Sequence, residues 1–493
     1  MQPDHDVIVI GGGFSGIGAA ILLDKAGFGD YLVLEEGDGV GGAWHWNTYP
    51  GVAVDIPSFS YQFSFEKSSR WSRVYAPGTE LKGYADHCVR KYGLSDRIRL
   101  GTAVTGTSYD DATATWTVQT STGESITTRY VVNATGVLTK PKAPEIPGLD
   151  SFTGETVHTA RWDHDLDLRG KRVGVIGTGA SAVQLVPAIA DEVEQLTVFQ
   201  RTPIWCLPKP DGALPPALRA VLARVPGAQA VSRLVSQTYV EATFPLAAHF
   251  HSLVPTAKAG EFLGRKALKD QVHDPVVREK LTPQYAVGCK RPSFHNSYLS
   301  TFNKANVLLE TDPITEITPT GIRTAAGVEH EIDVLVLATG FKVFERDNMP
   351  GFPALSRGVD LGEWWSKNRA QAYEGVSVPG WPNMFSILGP YGYNGSSYFN
   401  LIETQMAHIT RLLTEARKRG AVTVEVKQEA NDRYFAEVLS KRPRQVFAEE
   451  SCQVANSYYF DEHGDTPFRP STTIETMWRA AHFPLEDYEF ASA

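Results

Sequence analysis

Residues 6–35 read DVIVIGGGFSGIGAAILLDKAGFGDYLVLE, and residues 172–201 read RVGVIGTGASAVQLVPAIADEVEQLTVFQR. Each stretch is a short Val/Ile run, a glycine-rich turn, a helical segment and a second apolar run. Glu35 and Arg201 close that second run at the same spacing from Gly11 and Gly177. Segments of this length form strand–helix–strand crossovers with parallel strands, so the repeat predicts two nucleotide-binding sheets in one chain. The expected class is α/β, with two Rossmann-like dinucleotide-binding domains and a helical insertion.

Gly11, Gly13 and Gly16 fill the three places of G-x-G-x-x-G. The first permits the tight turn, the second lets backbone approach a pyrophosphate, and the third lets helix and strand pack closely. The helix start then offers free N–H groups and its positive dipole end to phosphate. Glu35 stands where a carboxylate accepts from a ribose hydroxyl. The second copy has Gly177, Gly179 and Ala182, and its second strand ends in Gln200–Arg201 instead of an acid. A guanidinium can hold a 2′-phosphate that a carboxylate would repel, so NADPH is expected there. Two later apolar runs, YVVNATG (130–136) and VLVLATG (334–340), suit buried parallel strands, each ending in a matching turn near its ligand.

The 493 residues are 42% hydrophobic and 21% charged, which fits an ordinary globular chain of about three domains or lobes. A net charge of −9 argues against nucleic acid or an anionic membrane as partner. Cys88, Cys206, Cys289 and Cys452 form no C-x-x-C pair and have no histidines at zinc spacing. The expectation is four reduced, mostly buried thiols in a cytoplasmic protein with no metal site. No basic leader precedes the first strand, and no apolar run has the length of a membrane-spanning helix. Gly/Pro-rich joints at 140–148 (KPKAPEIPG) and 349–353 (MPGFP) mark domain crossings. The expected division is 1–148 with 345–493, 149–206 with 285–344, and a helical insertion at 207–284, where ALPPALRAVLARV and EFLGRKALKDQV have helical periodicity.

Two longer strings go beyond generic nucleotide binding. Residues 41–55 read GGAWHWNTYPGVAVD, and residues 152–163 read FTGETVHTARWD. In these the chain resembles the type I Baeyer–Villiger monooxygenases. Their long fingerprint is met by Gly41, Gly42, Trp44, Tyr49, Pro50, Gly51 and Asp55; their short one is met by Phe152, Gly154, His158, Trp162 and Asp163. The resemblance extends over essentially the whole chain, through Lys290–Arg291–Pro292. It implies FAD at 1–148 with 345–493, NADPH at 149–206 with 285–344, and a small-molecule ketone and O2 as reactants, joined through a C4a-peroxyflavin. It also implies that Arg291 is the catalytic arginine, Asp55 its acidic partner, and Lys290 a companion of Arg201 at the 2′-phosphate. An always-charged guanidinium suits stabilisation of a peroxide anion. Related flavin-containing enzymes that oxidise nitrogen or sulfur use the protonated peroxide and do not need that arginine, so they form the alternative.

The cofactor-binding set expected from both readings is Gly11, Gly13, Phe14, Ser15, Gly16, Glu35, Gly42, Trp44, Asp55, Tyr61, Ala134, Gly136, Gly177, Thr178, Gly179, Ala180, Ser181, Gln184, Arg201, Thr202, Lys290, Arg291, Thr339 and Gly340. His158 is expected to tie the lobes together and not to move protons. The chain departs from the family pattern in YGYNGSSYFNLIETQ (391–405) and in EESCQVANSYY (449–459), which lacks a tryptophan common in relatives. The identity of the ketone and the oligomeric state are not legible in the sequence.

Overall fold

The computed structural model describes residues 2–254 and 256–492. Strand β1 (His5–Ile10) lies in the interior of a nine-stranded sheet, between β2 (Tyr31–Leu34) and β3 (Ser125–Asn133), parallel to both. Val7 and Val9 enter one hydrophobic core and Ile8 and Ile10 another on the opposite face. A strand covered on both faces needs an unbroken apolar run, which is why VIVI does not alternate with polar residues. Helix α1 (Phe14–Lys25) crosses from β1 to β2 and packs on a long helix near the C-terminus. Gly18 makes that approach possible, because a Cβ there would lie 2.5 Å from Ile402 Cγ2.

The second sheet has five strands, all parallel. Within it β4 (Arg172–Ile176) pairs with β5 (Gln195–Phe199) and with Val334–Leu337. Edge strands are Glu155–His158, from the short fingerprint, and Val307–Glu310. Helix α2 (Ala180–Ile189) makes the crossover. Between residues 208 and 284 the described residues form helices and no strand; among these are α3 (Pro216–Arg224), α4 (Ala228–Thr243) and α5 (Thr256–Gln271). The C-terminal part adds α6 (Tyr398–Arg419) against α1 and α7 (Thr473–His482) against α6. Among the described residues no helix is long and apolar enough to cross a membrane.

The chain leaves the first sheet after Asn133 and returns to it at Ala354. The two crossings run antiparallel side by side: Lys142 N–H donates to Gly340 O at 2.9 Å, and Lys342 N–H to Lys140 O at 3.1 Å. The two A-T-G turns stand at this junction, so the ends of both nucleotide sheets face one space.

Candidate active site

That space is a cavity of about 1850 Å³. A pocket for one small ligand typically measures roughly 300–1,000 Å³, so this one has room for two dinucleotides. Every residue of the expected cofactor set lines it except Gly16. Gly16 sits beneath the turn, where a Cβ would lie 1.8 Å from Gly11 O, and so has the packing role its place in the motif predicts.

The first cradle is built from backbone. Gly11 has φ +107°, and a Cβ there would lie 2.7 Å from Ala134 O. Neither α1 nor α2 has a side-chain N-cap or an acid in its first turn. By contrast α7 is capped by the Thr472 hydroxyl. Leaving the first-turn N–H groups of α1 and α2 free suits an anion in the cavity. Glu35 is buried, with one carboxylate oxygen accepting from Gly12 N–H at 2.5 Å and the other from Gly37 N–H at 2.8 Å. The glycine loop and the acid that ends β2 are thereby one unit, and the carboxylate keeps lone pairs for a ribose hydroxyl.

The second cradle differs in charge. Arg201 is exposed and Lys290 half-buried on its rim. Burial and then the nearby Arg201 push the Lys290 ammonium down to about 8. Among the described residues neither cation has an ion-pair partner. Two uncompensated cations close enough to repel one another suit a doubly charged phosphate. Gly179 is open, with nothing within 4 Å of a Cβ position, which leaves space for a pyrophosphate.

The long fingerprint stitches the two units together. Tyr49 O–H donates to Gln184 Oε1 at 2.9 Å, and Gln184 Nε2 donates to Ala53 O at 2.9 Å. Gly51 (φ +83°) lies against the same turn of α2, where a Cβ would be 2.6 Å from Gln184 O. The loop delivers Asp55 to the cavity wall. Of the short fingerprint, His158 accepts from Ala160 N–H at 3.0 Å through Nδ1, and its Nε2 lies 3.3 Å from the Thr339 hydroxyl. It does not line the cavity.

Arg291 enters the cavity just before strand β7 (Ser293–Phe294), which pairs in parallel with β6 (Cys206–Leu207). Burial works against its charge, but Tyr459, Tyr458, Tyr393 and Asp55 outweigh that and hold the guanidinium well above its ordinary value. Burial pushes the Tyr393 phenol up to about 12 and Tyr459 up as well, while Tyr458 stands at the cavity's rim, 43% exposed. At neutral pH these phenols are protonated, and among these four groups Asp55 supplies the formal negative charge.

Two expectations need correction here. Asp55 is not in direct ion-pair contact with Arg291: its Oδ1 lies 3.7 Å from Lys209 Nζ, with both side chains buried, and 3.4 Å from Gln184 Nε2. Lys209 follows β6 and also donates to Val54 O at 2.9 Å. Nothing local in LPKP singles it out, because the ribbon that carries it is assembled by residues far apart in sequence. The four cysteines are likewise not all thiols. Cys289 and Cys452 form a disulfide with Cα atoms 4.9 Å apart, while Cys88 and Cys206 are free and buried. The bridge joins the residue before Lys290 to the divergent 449–459 loop. That loop brings Tyr458 and Tyr459 to Arg291, and its Asn456 Nδ2 donates to the Thr202 hydroxyl at 2.7 Å. Tyr393, Tyr458 and Tyr459 were not among the expected residues, although both segments that carry them stood out as departures.

A family model described as pyridine nucleotide-disulphide oxidoreductase matches residues 8–242. A Baeyer–Villiger monooxygenase of Pseudomonas aeruginosa is 37% identical over 454 residues, covering 91% of this chain and 84% of that protein. A phenazine N-monooxygenase of Lysobacter antibioticus is 35% identical over 475 residues, covering 87% and 86%. Among solved structures, OTEMO in complex with FAD and NADP superimposes with a TM-score of 0.88 at 28% identity, covering 100% of both chains.

Proposed function

The chain belongs to the flavoprotein Baeyer–Villiger monooxygenases, and from that premise we propose that it converts a ketone to an ester or lactone. It is an FAD- and NADPH-dependent monooxygenase. The balanced reaction consumes ketone, O2, NADPH and a proton; one oxygen atom enters the substrate and the other leaves as water. The observation that carries the reading is the meeting, in one cavity, of two dinucleotide cradles, Arg291 and Asp55.

The assignment of roles follows from the chemistry of each wall. The Gly11–Gly16 turn, Glu35 and the Gly42–Tyr61 region hold FAD, on a domain made of residues 1–148 and 345–493. The Gly177–Gly179 turn, Gln184, Arg201, Thr202 and Lys290 hold NADPH, on 149–206 and 285–344. Bound FAD, reduced by NADPH, supplies the activated oxygen. Arg291 binds the negative charge that develops on oxygen during attack, in a site where buried phenols replace water and the guanidinium cannot lose its proton. Asp55 limits the cost of burying that cation without neutralising it through direct contact. Tyr393 and Tyr459 orient the guanidinium as neutral partners.

A second reading is oxidation of nitrogen or sulfur, which the name of the Lysobacter relative motivates. A panel of linear, cyclic, aryl and steroidal ketones, run beside amines and thioethers and scored by NADPH consumption and product mass, separates the two. Ester or lactone formed in proportion to NADPH supports the proposal. N-oxide or sulfoxide formed with no ester from any ketone overturns it.

A further inference from the structure

The helical hairpin α3–α4 carries an apolar face that nothing among the described residues covers. On α4, Val231 is 62% exposed, Leu234 68% and Val235 66%; on α3, Val221 and Val225 are also exposed. Soluble surfaces show single exposed apolar residues, whereas a contiguous run along two packed helices marks an interaction surface. The inner face of α4 is already used: Ser236 meets Ser60, Gln237 reaches Ser396, and Arg233 donates to Gln62 O and to Asn400. The hairpin is therefore fixed in place with its apolar side outward.

Charge narrows the partner. The chain as a whole is acidic, yet residues 213–271 carry seven Lys or Arg against three Asp or Glu; Arg224 is exposed on the hairpin, whereas Arg233 is used on its inner face. The next helix, α5, carries exposed Lys258, Arg265 and Lys269, while its Lys266 pairs with Asp270 at 2.6 Å. Net charge −9 is the wrong scale for this surface, because charges beyond a Debye length are screened and the hairpin presents only its own. A second copy docking by the same face would set arginine against arginine. Glu241, at the end of α4, accepts from Thr473 N–H and so ties down the start of α7, whose outward face carries Trp478, 62% exposed. An exposed tryptophan and a net-basic helical insertion with an outward apolar face are the composition of a surface that lies in a membrane interface.

We propose that the α3–α4 face docks peripherally on an anionic lipid bilayer. The docked helix leads into the site, since Phe244, the residue after α4, lines the cavity. The test is co-sedimentation of the FAD-loaded enzyme with vesicles of phosphatidylglycerol and phosphatidylcholine, and with phosphatidylcholine alone. The expected result is capture by the anionic vesicles at low ionic strength, lost in high salt and absent with neutral vesicles. Leu234→Ser combined with Val235→Ser should cut capture by roughly tenfold while flavin content and melting temperature stay unchanged. An enzyme that remains in the supernatant with both vesicle types overturns the proposal, as does equal capture by both. A dimer in solution that the double variant converts to monomer also overturns it, because the face would then be covered by a second copy. The salt dependence is read on the unmodified protein, so the outcome does not hinge on the variants.

Discussion

At the scale of single residues, the chemistry reduces to which cations have partners. Among the described residues Lys290 and Arg201 have no acid partner, and burial with the nearby Arg201 holds the Lys290 ammonium down at about 8. A 2′-phosphate stabilises the protonated form, so bound NADPH raises that value. The Lys290 share of phosphate affinity is then fully present below about pH 8, begins to fall there, and is lost as pH rises through the higher bound-state value, while the Arg201 share persists. The KM for NADPH should climb above pH 8 while that for NADH stays flat, and Arg201→Ala should raise the first far more than the second. Parallel profiles for the two coenzymes would remove the assignment. Lys209 presents the opposite case, a buried cation held by Asp55 and Val54 O. Removing one member of a buried pair strands the other, so Lys209→Met should destabilise the fold by about 2–3 kcal/mol, and adding Asp55→Asn should restore part of that. Thermal unfolding of the two single variants and the double variant checks it; strictly additive losses would mean the pair is not coupled.

At the scale of elements, two loops join what the sheets hold apart. Gly51 meets α2 where no Cβ fits, in a left-handed backbone conformation. Gly51→Ala should therefore cost about 1–3 kcal/mol and weaken NADP binding more than FAD binding, since the strain falls on the helix that carries Gln184. Calorimetry with each nucleotide distinguishes this from general destabilisation. The 449–459 loop is pinned by the Cys289–Cys452 bridge. Alkylation of denatured protein should modify two cysteines without reductant and four after reduction, as read by intact mass; four modified without reductant would contradict the bridge. These elements also show how far the sequence could be read. The glycine turns and the strands around them were legible because each depends on neighbours within about 30 residues. Lys209, Tyr393, Tyr458 and the disulfide were not. Their roles arise where the β6–β7 ribbon, the 391–398 segment and the 449–459 loop converge on Arg291, and no local pattern encodes that convergence.

At the scale of the molecule, two nucleotide sheets are joined by a pair of antiparallel crossings, with their open ends facing a single cavity. In the proposed reaction this arrangement lets one cofactor reduce the other, and Arg291 lines the same cavity. Its guanidinium, on that proposal, serves attack on a ketone and not merely nucleotide binding. The most direct measurement is ester formed per NADPH consumed, in the wild type and in Arg291→Ala and Arg291→Lys. Both variants should still bind FAD and consume NADPH and O2. Ester should fall by about 10²–10³ in the alanine variant, with hydrogen peroxide in its place, and lysine should rescue it poorly because an ammonium lacks the planar fork. Undiminished ester per NADPH in Arg291→Ala would contradict the account.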